Sequence, residues 1–210
     1  MRVIHLENYD EALKQAREAL LAGKLIIYPT DTLYGIGANA LDEKAVEEVR
    51  DAKEREPKPI SILVSDLKML EKHCKISKKT RELLIELLPG PYTFILKAKT
   101  KFPSAVTTTG KVGVRVPEYA FMRALVKELN FPITTTSANL SGKSAPSSLE
   151  EVEEKVRSVC ELAIDGGKCR FSEGSTIVDL TEKEPKVLRK GAGFQELMLL
   201  LGVPKDGKAE

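Results

Sequence analysis

Short apolar runs with strand character alternate along this chain with segments whose apolar residues recur at helical spacing. Strands are predicted at residues 2–6, 25–28, 60–64, 92–99, 112–116, 133–137, 162–164, 176–180 and 186–188. Helices are predicted between a capping Asn8 and Gly23, and at residues 42–53, 66–88, 119–129, 149–159 and 194–201. The helical stretch 66–88 is expected to break near Ile76, with Ser77 as a second cap. This alternation is typical of an α/β fold whose helices cover a sheet, and the closely spaced late strands indicate a mixed sheet.

The chain shows no sign of division into parts. Its 210 residues contain no linker-like change of composition, no low-complexity tract and no repeat. A chain of this length can bury one large core. We therefore expect a single domain over residues 1–203, followed by a polar tail at residues 204–210.

Charge and cysteine content exclude several classes of protein. The 33 Lys and Arg residues balance 31 Asp and Glu residues, and a net charge of +2 excludes a polybasic nucleic-acid wrapper. No apolar run approaches the ~20 residues that span a bilayer, and the N-terminal sequence does not resemble a signal peptide, so no membrane association is expected. The three cysteines are scattered, which argues against disulfides and structural zinc and favours the reducing cytoplasm.

Several catalytic signatures are missing from the sequence. It contains no phosphate-binding GxxxxGK[ST] loop, no HExxH and no GxSxG, and GAG at 191–193 is too short for a dinucleotide fingerprint. The two histidines, His5 and His73, lie far apart and are expected to be structural. No set of metal-ligating side chains is identifiable.

Four polar segments adjoin predicted strands, where open α/β sheets place their ligand crevice. The first, YPTDTLYGIGAN at 28–39, is predicted to be a Gly-punctuated loop that offers hydroxyl groups at close approach, or else an ordinary strand-to-helix turn. The second is KER at 53–55, with Lys58 nearby. Its cations either clamp phosphates or merely compensate a helix dipole.

The third segment combines KVGVRVP at 111–117 with ITTTSANLSG at 133–142. Arg115 within an apolar strand needs an anion or a dense set of acceptors, because an unpaired buried cation is costly. If the strand continues, Thr135, Ser137, Asn139 and Ser141 alternate along one side and make a hydrogen-bonding wall for a nucleotide or an amino acid. The fourth segment is STIVD at 175–179 with LRKGAG at 188–193, a weak signal by itself.

Together, YPTDTLYGIGA, KxR, PGPYTFIL, VGVRVP, TTSANLSG, STIVD and LRKGAG, in this order, resemble the YrdC family over roughly residues 10–195. These are the short, single-domain threonylcarbamoyl-AMP synthases of tRNA modification. The resemblance implies an open, twisted mixed sheet with helices packed around it and a basic concave cleft. It also implies that L-threonine, bicarbonate and ATP are converted to threonylcarbamoyl-adenylate and pyrophosphate. ATP would be a substrate accompanied by Mg²⁺, with no tightly bound organic cofactor, and a downstream machinery would transfer the threonylcarbamoyl group to tRNA.

The resemblance also implies roles for individual residues. Lys53 and Arg55 match the family's phosphate-binding KxR pair, which carries the catalytic charge neutralisation. The residues that match the threonine site are Thr32, Arg115, Thr135 and Ser175. Ser137 and Asn139 match the SxN motif beside the nucleotide, and Arg189 matches a late nucleotide-contacting arginine.

One departure keeps alternatives open. Many family members carry a threonine-binding His after KxR, whereas Val64 or Ser65 stands near that place here. The chain could therefore belong to a side branch of the family with another activity. A second alternative is a non-catalytic module that binds double-stranded RNA or tRNA, using the basic residues Lys53, Arg55, Lys58, Lys72, Lys75, Lys78, Lys79 and Arg81. A detached YrdC-like part of a hydrogenase-maturation carbamoyltransferase is a third, without that protein's zinc-finger and acylphosphatase segments.

Overall fold

The computed structural model describes residues 1–54, 59–107 and 109–201. The strands are β1 (Arg2–His5), β2 (Ile26–Tyr28), β3 (Gly35–Gly37), β4 (Ser61–Leu63), β5 (Cys74–Lys75), β6 (Tyr92–Ala98), β7 (Lys111–Arg115), β8 (Ile133–Ser137), β9 (Leu162–Asp165), β10 (Thr176–Asp179) and β11 (Lys186–Arg189). The helices are α1 (Tyr9–Leu21), α2 (Glu43–Ala52), α3 (Leu67–His73), α4 (Lys78–Leu87), α5 (Ala120–Leu129), α6 (Glu154–Ser158) and α7 (Phe194–Leu200).

One mixed sheet contains all the strands of the described residues. Their order is β1-β9-β2-β3-β8-β4-β7-β6-β10-β11, and β5 also pairs with β6. Parallel pairs such as β4–β7 and β6–β10 alternate with antiparallel pairs such as β6–β7 and β4–β8. The predicted open mixed sheet is therefore confirmed.

Helix α1 shows how sequence pattern translates into packing. Ala12, Ala16, Ala19 and Leu20 recur every three or four residues and are buried, so one face of α1 lies on β1, β9 and β2. Helix α5 also packs against α1, and the ring of Phe121 contacts the ring of Tyr9 edge to face, with the ring centroids 5.4 Å apart. The small alanine side chains on the buried face of α1 allow the helix to lie close to the sheet.

Side-chain capping starts two helices, one at Asp42, the first residue of a predicted helix, and one at the predicted cap Ser77. The carboxylate of Asp42 accepts hydrogen bonds from the backbone N–H groups of Lys44 and Ala45 and starts α2. Ser77 accepts from the N–H of Thr80 and starts α4, after the predicted break that here contains β5. Asn8 precedes α1, but its side chain makes no capping hydrogen bond, so that detail of the prediction is wrong.

The polar segment 28–39 is not a loop throughout, because it contains β3. This short strand pairs with β2 on one side and with β8 on the other, and Ile36 is fully buried. Its glycines let the backbone cross the Tyr28 ring closely: a Cβ on Gly37 would lie 2.7 Å from Tyr28 Cε1. The pairing partners are distant in sequence, and local composition therefore did not indicate the strand.

The helix predicted at 149–159 is reduced to α6. Upstream of it, Glu151 accepts hydrogen bonds from the backbone N–H and hydroxyl of Ser147, and Glu153 accepts from the N–H of Leu140. Arg157 in turn donates to the carbonyls of Val152 and Leu149. These side-chain bonds to the backbone compete with the helix and hold residues 149–153 in turns.

None of the helices formed by the described residues is long and apolar enough to cross a membrane.

Candidate functional site

A cavity of about 780 Å³ lies on one face of the sheet. Its floor is formed by β4, β6, β7, β8, β10 and β11, and its walls come from the segments around Thr32 and Ser175. The charged residues of the lining are Arg115, Arg189, Lys190 and Glu173. Cations outnumber acids in this lining, which agrees with the predicted basic concave cleft.

Six of the nine predicted site residues line this one cavity, although they come from five separate parts of the chain. They are Thr32, Arg115, Thr135, Ser137, Ser175 and Arg189. Strand pairing explains why these residues lie close together. Thr135 on β8 pairs with Ser61 on β4, and Leu63 on β4 pairs with Arg115 on β7. The residues therefore share the cavity because the sheet places their strands side by side.

Arg115 is held by the loop before β3. Its Nη2 donates to Asp31 Oδ1 at 2.9 Å and to Thr32 Oγ1 at 2.9 Å. The second oxygen of Asp31 accepts the backbone N–H of Glu118 at 3.1 Å, so this buried carboxylate is fully engaged. Arg115 Nε is buried and has no hydrogen-bond partner. The predicted need of Arg115 for an acceptor is thus met on one side of the guanidinium by Asp31 and Thr32.

Ser175 and Arg189 form a second linked group. Arg189 donates to the carbonyl of Ser175 through Nε at 3.0 Å and Nη2 at 2.8 Å, and Nη2 also reaches Ser175 Oγ at 3.1 Å. Ser175 Oγ shares a 2.7 Å hydrogen bond with Thr93 Oγ1. Loss of solvent around the Arg189 guanidinium, and then the positive charge of Arg115, lower the pKa of Arg189.

The wall contributed by β8 ends sooner than predicted. Thr135 and Ser137 line the cavity, but the strand stops at Ser137. Asn139 turns away: its Nδ2 donates to the carbonyls of Leu140 and Lys143, and its Oδ1 accepts from Ser137 Oγ. The expected alternation through Asn139 and Ser141 is therefore wrong, because the chain folds into a turn at this point.

Lys53 is buried directly behind this turn. Its Nζ donates to the carbonyls of Ser137 and Asn139, the latter at 2.7 Å, and lies 3.4 Å from Asn139 Oδ1. The ammonium thus ties the end of α2 to the end of β8, and Lys53 is not among the lining residues of the cavity. Arg55 and Lys58 lie outside the described residues, so the KxR pair stays a prediction.

Two residues of the site were not singled out from the sequence. Asp31 stands inside the PTDT segment, and its position between two threonines next to a strand was the available signal. Thr93 was hidden in PGPYTFIL, where its alternation with Ile95 places both residues on the cavity face. Val64 and Ser65, near the expected family His, are buried outside the lining, and Ser65 Oγ donates to Asp66 Oδ2.

The described part of the chain contains no group of three or more His, Cys, Asp or Glu side chains placed to hold a metal ion. The polar side chains of this cavity are instead mostly hydroxyl and guanidinium groups, which can donate hydrogen bonds to an anion, and the guanidinium groups also neutralise its charge.

Comparison with known proteins agrees with the motif pattern. The family model of the Sua5/YciO/YrdC domain, described as "telomere recombination", matches residues 18–191. The chain belongs to this family. The resemblance drawn from the motifs is thereby confirmed.

Relatives within the Sua5/YciO/YrdC family carry names that describe an activity. A protein of Methanocaldococcus jannaschii, provisionally named threonylcarbamoyl-AMP synthase, is 39% identical over 88% of either chain. The threonylcarbamoyl-AMP synthase of Pyrococcus abyssi is also 39% identical, over 86% of this chain but only 54% of its own length. The chain therefore spans nearly all of one relative and about half of the other.

Solved structures of the Sua5/YciO/YrdC family show the same fold. P. abyssi Sua5 complexed with L-threonine matches with a TM-score of 0.89 at 33% identity, over all of this chain and 64% of that one. YciO of Escherichia coli matches with a TM-score of 0.82 at 29% identity, over 91% of this chain and 95% of that one. Both solved structures thus share this architecture with the chain.

Proposed function

We propose that this chain is a threonylcarbamoyl-AMP synthase, which makes threonylcarbamoyl-adenylate and pyrophosphate from L-threonine, bicarbonate and ATP. The observation that carries the proposal is the single cavity in which Arg115, Arg189 and the hydroxyls of Thr32, Thr135, Ser137 and Ser175 meet. The names of the relatives, and the threonine complex of P. abyssi Sua5, support the choice of substrates.

The reaction asks for positioning and charge neutralisation more than for a protein nucleophile. The threonine amine displaces water from bicarbonate and gives a carbamate. A carbamate oxygen then forms a bond to the α-phosphorus of ATP while the bond from that phosphorus to the pyrophosphate oxygen breaks. Such phosphoryl chemistry depends on cations and aligned donors, which a cavity lined by arginine and hydroxyl groups supplies.

The threonine end of the cavity is assigned to Arg115, Thr32, Thr135 and Ser175. Asp31 and Thr32 accept hydrogen bonds from Arg115 Nη2, and Arg115 lines the cavity. The part of the guanidinium that faces the cavity is therefore assigned to the amino-acid carboxylate, in a contact that Asp31 orients but does not replace.

The nucleotide end is assigned to Ser137, Asn139, Lys53, Arg55 and Arg189. Ser137 faces the cavity, and Asn139 and Lys53 act behind it by fixing the turn that carries it. The positive charge of Lys53, which lies directly behind this turn, would then help to neutralise the phosphates. Arg55 would bind the phosphates directly. Mg²⁺ would arrive bound to the phosphates of ATP, since the described residues offer no acidic cluster for it, and no step here depends on it.

The wider setting belongs to the same proposal. The product would be handed to a threonylcarbamoyl-transfer machinery that modifies tRNA, in the cytoplasm. The division into one domain over residues 1–203 and a tail at 204–210 stays a prediction, because residues 202–210 lie outside the described part of the chain.

The deciding experiment is pyrophosphate release from ATP by the purified chain, with threonine and bicarbonate each omitted in turn. We expect release only when both are present. Pyrophosphate release that does not depend on threonine, or no release at all, would refute the proposed synthase activity. RNA binding with a steep salt dependence and no turnover would instead support the RNA-binding module. Turnover with another amine in place of threonine would point to a side branch of the family.

A further inference from the structure

Arg115, Thr93, Ile177 and Arg189 line the cavity and lie in one row across the neighbouring strands β7, β6, β10 and β11. Phe94 pairs with Val114, so the next position of the same antiparallel pair sets Thr93 opposite Arg115. Ile177 pairs with Thr93 on one side and with Arg189 on the other. With strands about 4.8 Å apart, Thr93 lies one strand from Arg115 and two strands from Arg189. Thr93 is thus the polar floor between the two arginines.

The hydroxyl of Thr93 is connected to Arg189 through one intermediate. Arg189 Nη2 donates to Ser175 Oγ, and Ser175 Oγ lies 2.7 Å from Thr93 Oγ1. A hydroxyl carries a single proton. When Ser175 donates its proton to Thr93, the proton of Thr93 is left to point into the cavity, and the chain Arg189–Ser175–Thr93 ends in one oriented donor.

The charges on the two sides of Thr93 are unequal. Arg115 already has Asp31 as its buried counter-ion. Arg189 has no carboxylate partner among the described residues, and its contacts are the carbonyl and hydroxyl oxygens of Ser175. Glu173, the acidic residue of the lining, is exposed to solvent. The cavity therefore keeps an unneutralised positive charge beside Thr93, and an anion there is favoured.

We infer that Thr93, between Arg115 and Arg189, binds the planar CO₂-derived anion of the reaction, which is bicarbonate first and the carbamate group afterwards. This inference rests on the proposed function and deepens it, because it assigns a site to the substrate that had none.

The position of Thr93 suits this chemistry. A threonine whose carboxylate contacts Arg115 carries its amine on the same carbon, so the amine lies close to Arg115. The carbamate must connect that amine to the α-phosphorus on the nucleotide side, where Arg189 is placed. Thr93 and Ser175 lie between these two ends, and a donor at this point holds one carbamate oxygen while the other attacks phosphorus.

The test is Thr93→Val, which keeps the branched shape of the side chain and removes the hydroxyl. Initial rates of pyrophosphate release, measured in carbonate-depleted buffer, give separate KM values for bicarbonate, threonine and ATP. We expect the KM for bicarbonate to rise at least about tenfold, because a hydrogen bond to a charged group is lost. The KM values for threonine and ATP should stay close to those of the wild type, and Thr93→Ser should restore the bicarbonate KM.

Thr134→Val is the matched control. Thr134 is a buried threonine on β8 whose hydroxyl contacts the backbone N–H of Ala38, and it does not line the cavity. Its loss should lower stability without changing the KM for bicarbonate. An unchanged bicarbonate KM in folded Thr93→Val, or an equal rise of all three KM values, would overturn the inference.

A second measurement uses the wild-type chain and does not depend on the folding of a variant. Nitrate is planar and anionic like bicarbonate but cannot react. We expect nitrate to compete with bicarbonate and not with threonine. Competition with threonine or ATP, or no inhibition, would contradict the inference. Absence of threonine- and bicarbonate-dependent turnover in the wild type would instead refute the proposed function itself.

Discussion

Arg115 is a cavity residue with two tasks at once. It pairs with the buried Asp31, and under the proposed function it also binds the substrate carboxylate. Only 9% of Arg115 is exposed, so its charge needs Asp31 whenever the cavity holds no anion. Removal of Arg115 alone leaves Asp31 as an unpaired buried charge, and a clean test must account for this.

We predict that Arg115→Ala weakens threonine binding by about 2–4 kcal/mol and ATP binding far less, because a charge-paired contact to the substrate is lost. Calorimetric titration with threonine measures this. The double variant with Asp31→Asn leaves no unpaired buried carboxylate, and Asp31→Asn alone serves as its control. Threonine affinity equal to that of the wild type in the folded variants would remove Arg115 from the threonine site.

Asn139 does not line the cavity but supports the turn that follows Ser137. Its amide holds the carbonyls of Leu140 and Lys143, and its oxygen accepts from Ser137 Oγ. We predict that Asn139→Ala lowers stability by about 1–3 kcal/mol and raises the KM for ATP, while the KM for threonine changes little. Thermal melting together with steady-state kinetics tests both effects. A lower melting temperature with an unchanged KM for ATP would make Asn139 a structural turn residue only.

At the scale of elements, β3 depends on its glycines. The strand crosses the Tyr28 ring, and a Cβ on Gly37 would lie 2.7 Å from Tyr28 Cε1, against 3.2 Å between a Cβ on Gly35 and Tyr28 Cζ. We predict that Gly37→Ala destabilises the fold by about 1–3 kcal/mol through overpacking, and that Gly35→Ala costs less. Chemical denaturation of both variants provides the measurement. Equal stability of Gly37→Ala and the wild type would show that Tyr28 moves aside at no cost.

Helix α3 ends in a buried histidine that should respond to pH. His73 Nδ1 lies 2.7 Å from Thr100 Oγ1, and Nε2 is buried without a partner. Burial, and then the charge of Lys72, lower the pKa of His73 below its usual 6.5. The unfolded chain therefore takes up a proton at a higher pH than the folded chain does, and the stability present above about pH 6.5 is lost as pH falls through the lower, folded-state value.

We expect the melting temperature of the wild type to decline as pH falls below about 6.5. His73→Gln keeps a polar group near Thr100 but does not titrate in this range, so its melting temperature should decline less steeply. The two pH profiles are compared by differential scanning calorimetry. Parallel profiles would mean that other groups cause the acid sensitivity.

At the scale of the whole molecule, the cavity is lined by strands from both halves of the chain. A ligand that contacts Thr32, Arg115 on β7, Thr135 on β8 and Ser175 just before β10 should therefore stabilise the entire fold. Threonine at about 100 times its Kd should contribute ~2.7 kcal/mol, which for a chain of this size raises the melting temperature by about 5–10 °C.

The Arg115→Ala, Asp31→Asn double variant should lose this protection. Arg2→Ala is a control at the far edge of the sheet, where Arg2 pairs with the exposed Glu11, and it should retain the protection. A threonine effect of the same size in the double variant would place threonine binding elsewhere.

The sequence by itself determined the class of fold and the identity of the motifs. Alternating periods of two and 3.6 residues predict strands and helices locally, and Asp42 and Ser77 mark helix starts, because capping involves neighbours along the chain. The motif series was sufficient to recognise the family, and six of its nine expected site residues line one cavity. The fold class was thus predicted from local patterns, and the site residues were predicted from the resemblance of the motif series.

Tertiary structure decided what depends on partners far apart in the chain. The strand β3 exists because β2 and β8 flank it, and residues 149–153 form turns because Ser147 and Leu140 engage their glutamates. Asp31 became a counter-ion only when β7 brought Arg115 beside it. Thr93 became a candidate hydrogen-bond donor to an anion only when the sheet placed it between Arg115 and Arg189. Strand pairing and ion pairing act through space over long sequence separations, and no local pattern encodes which distant residues will meet.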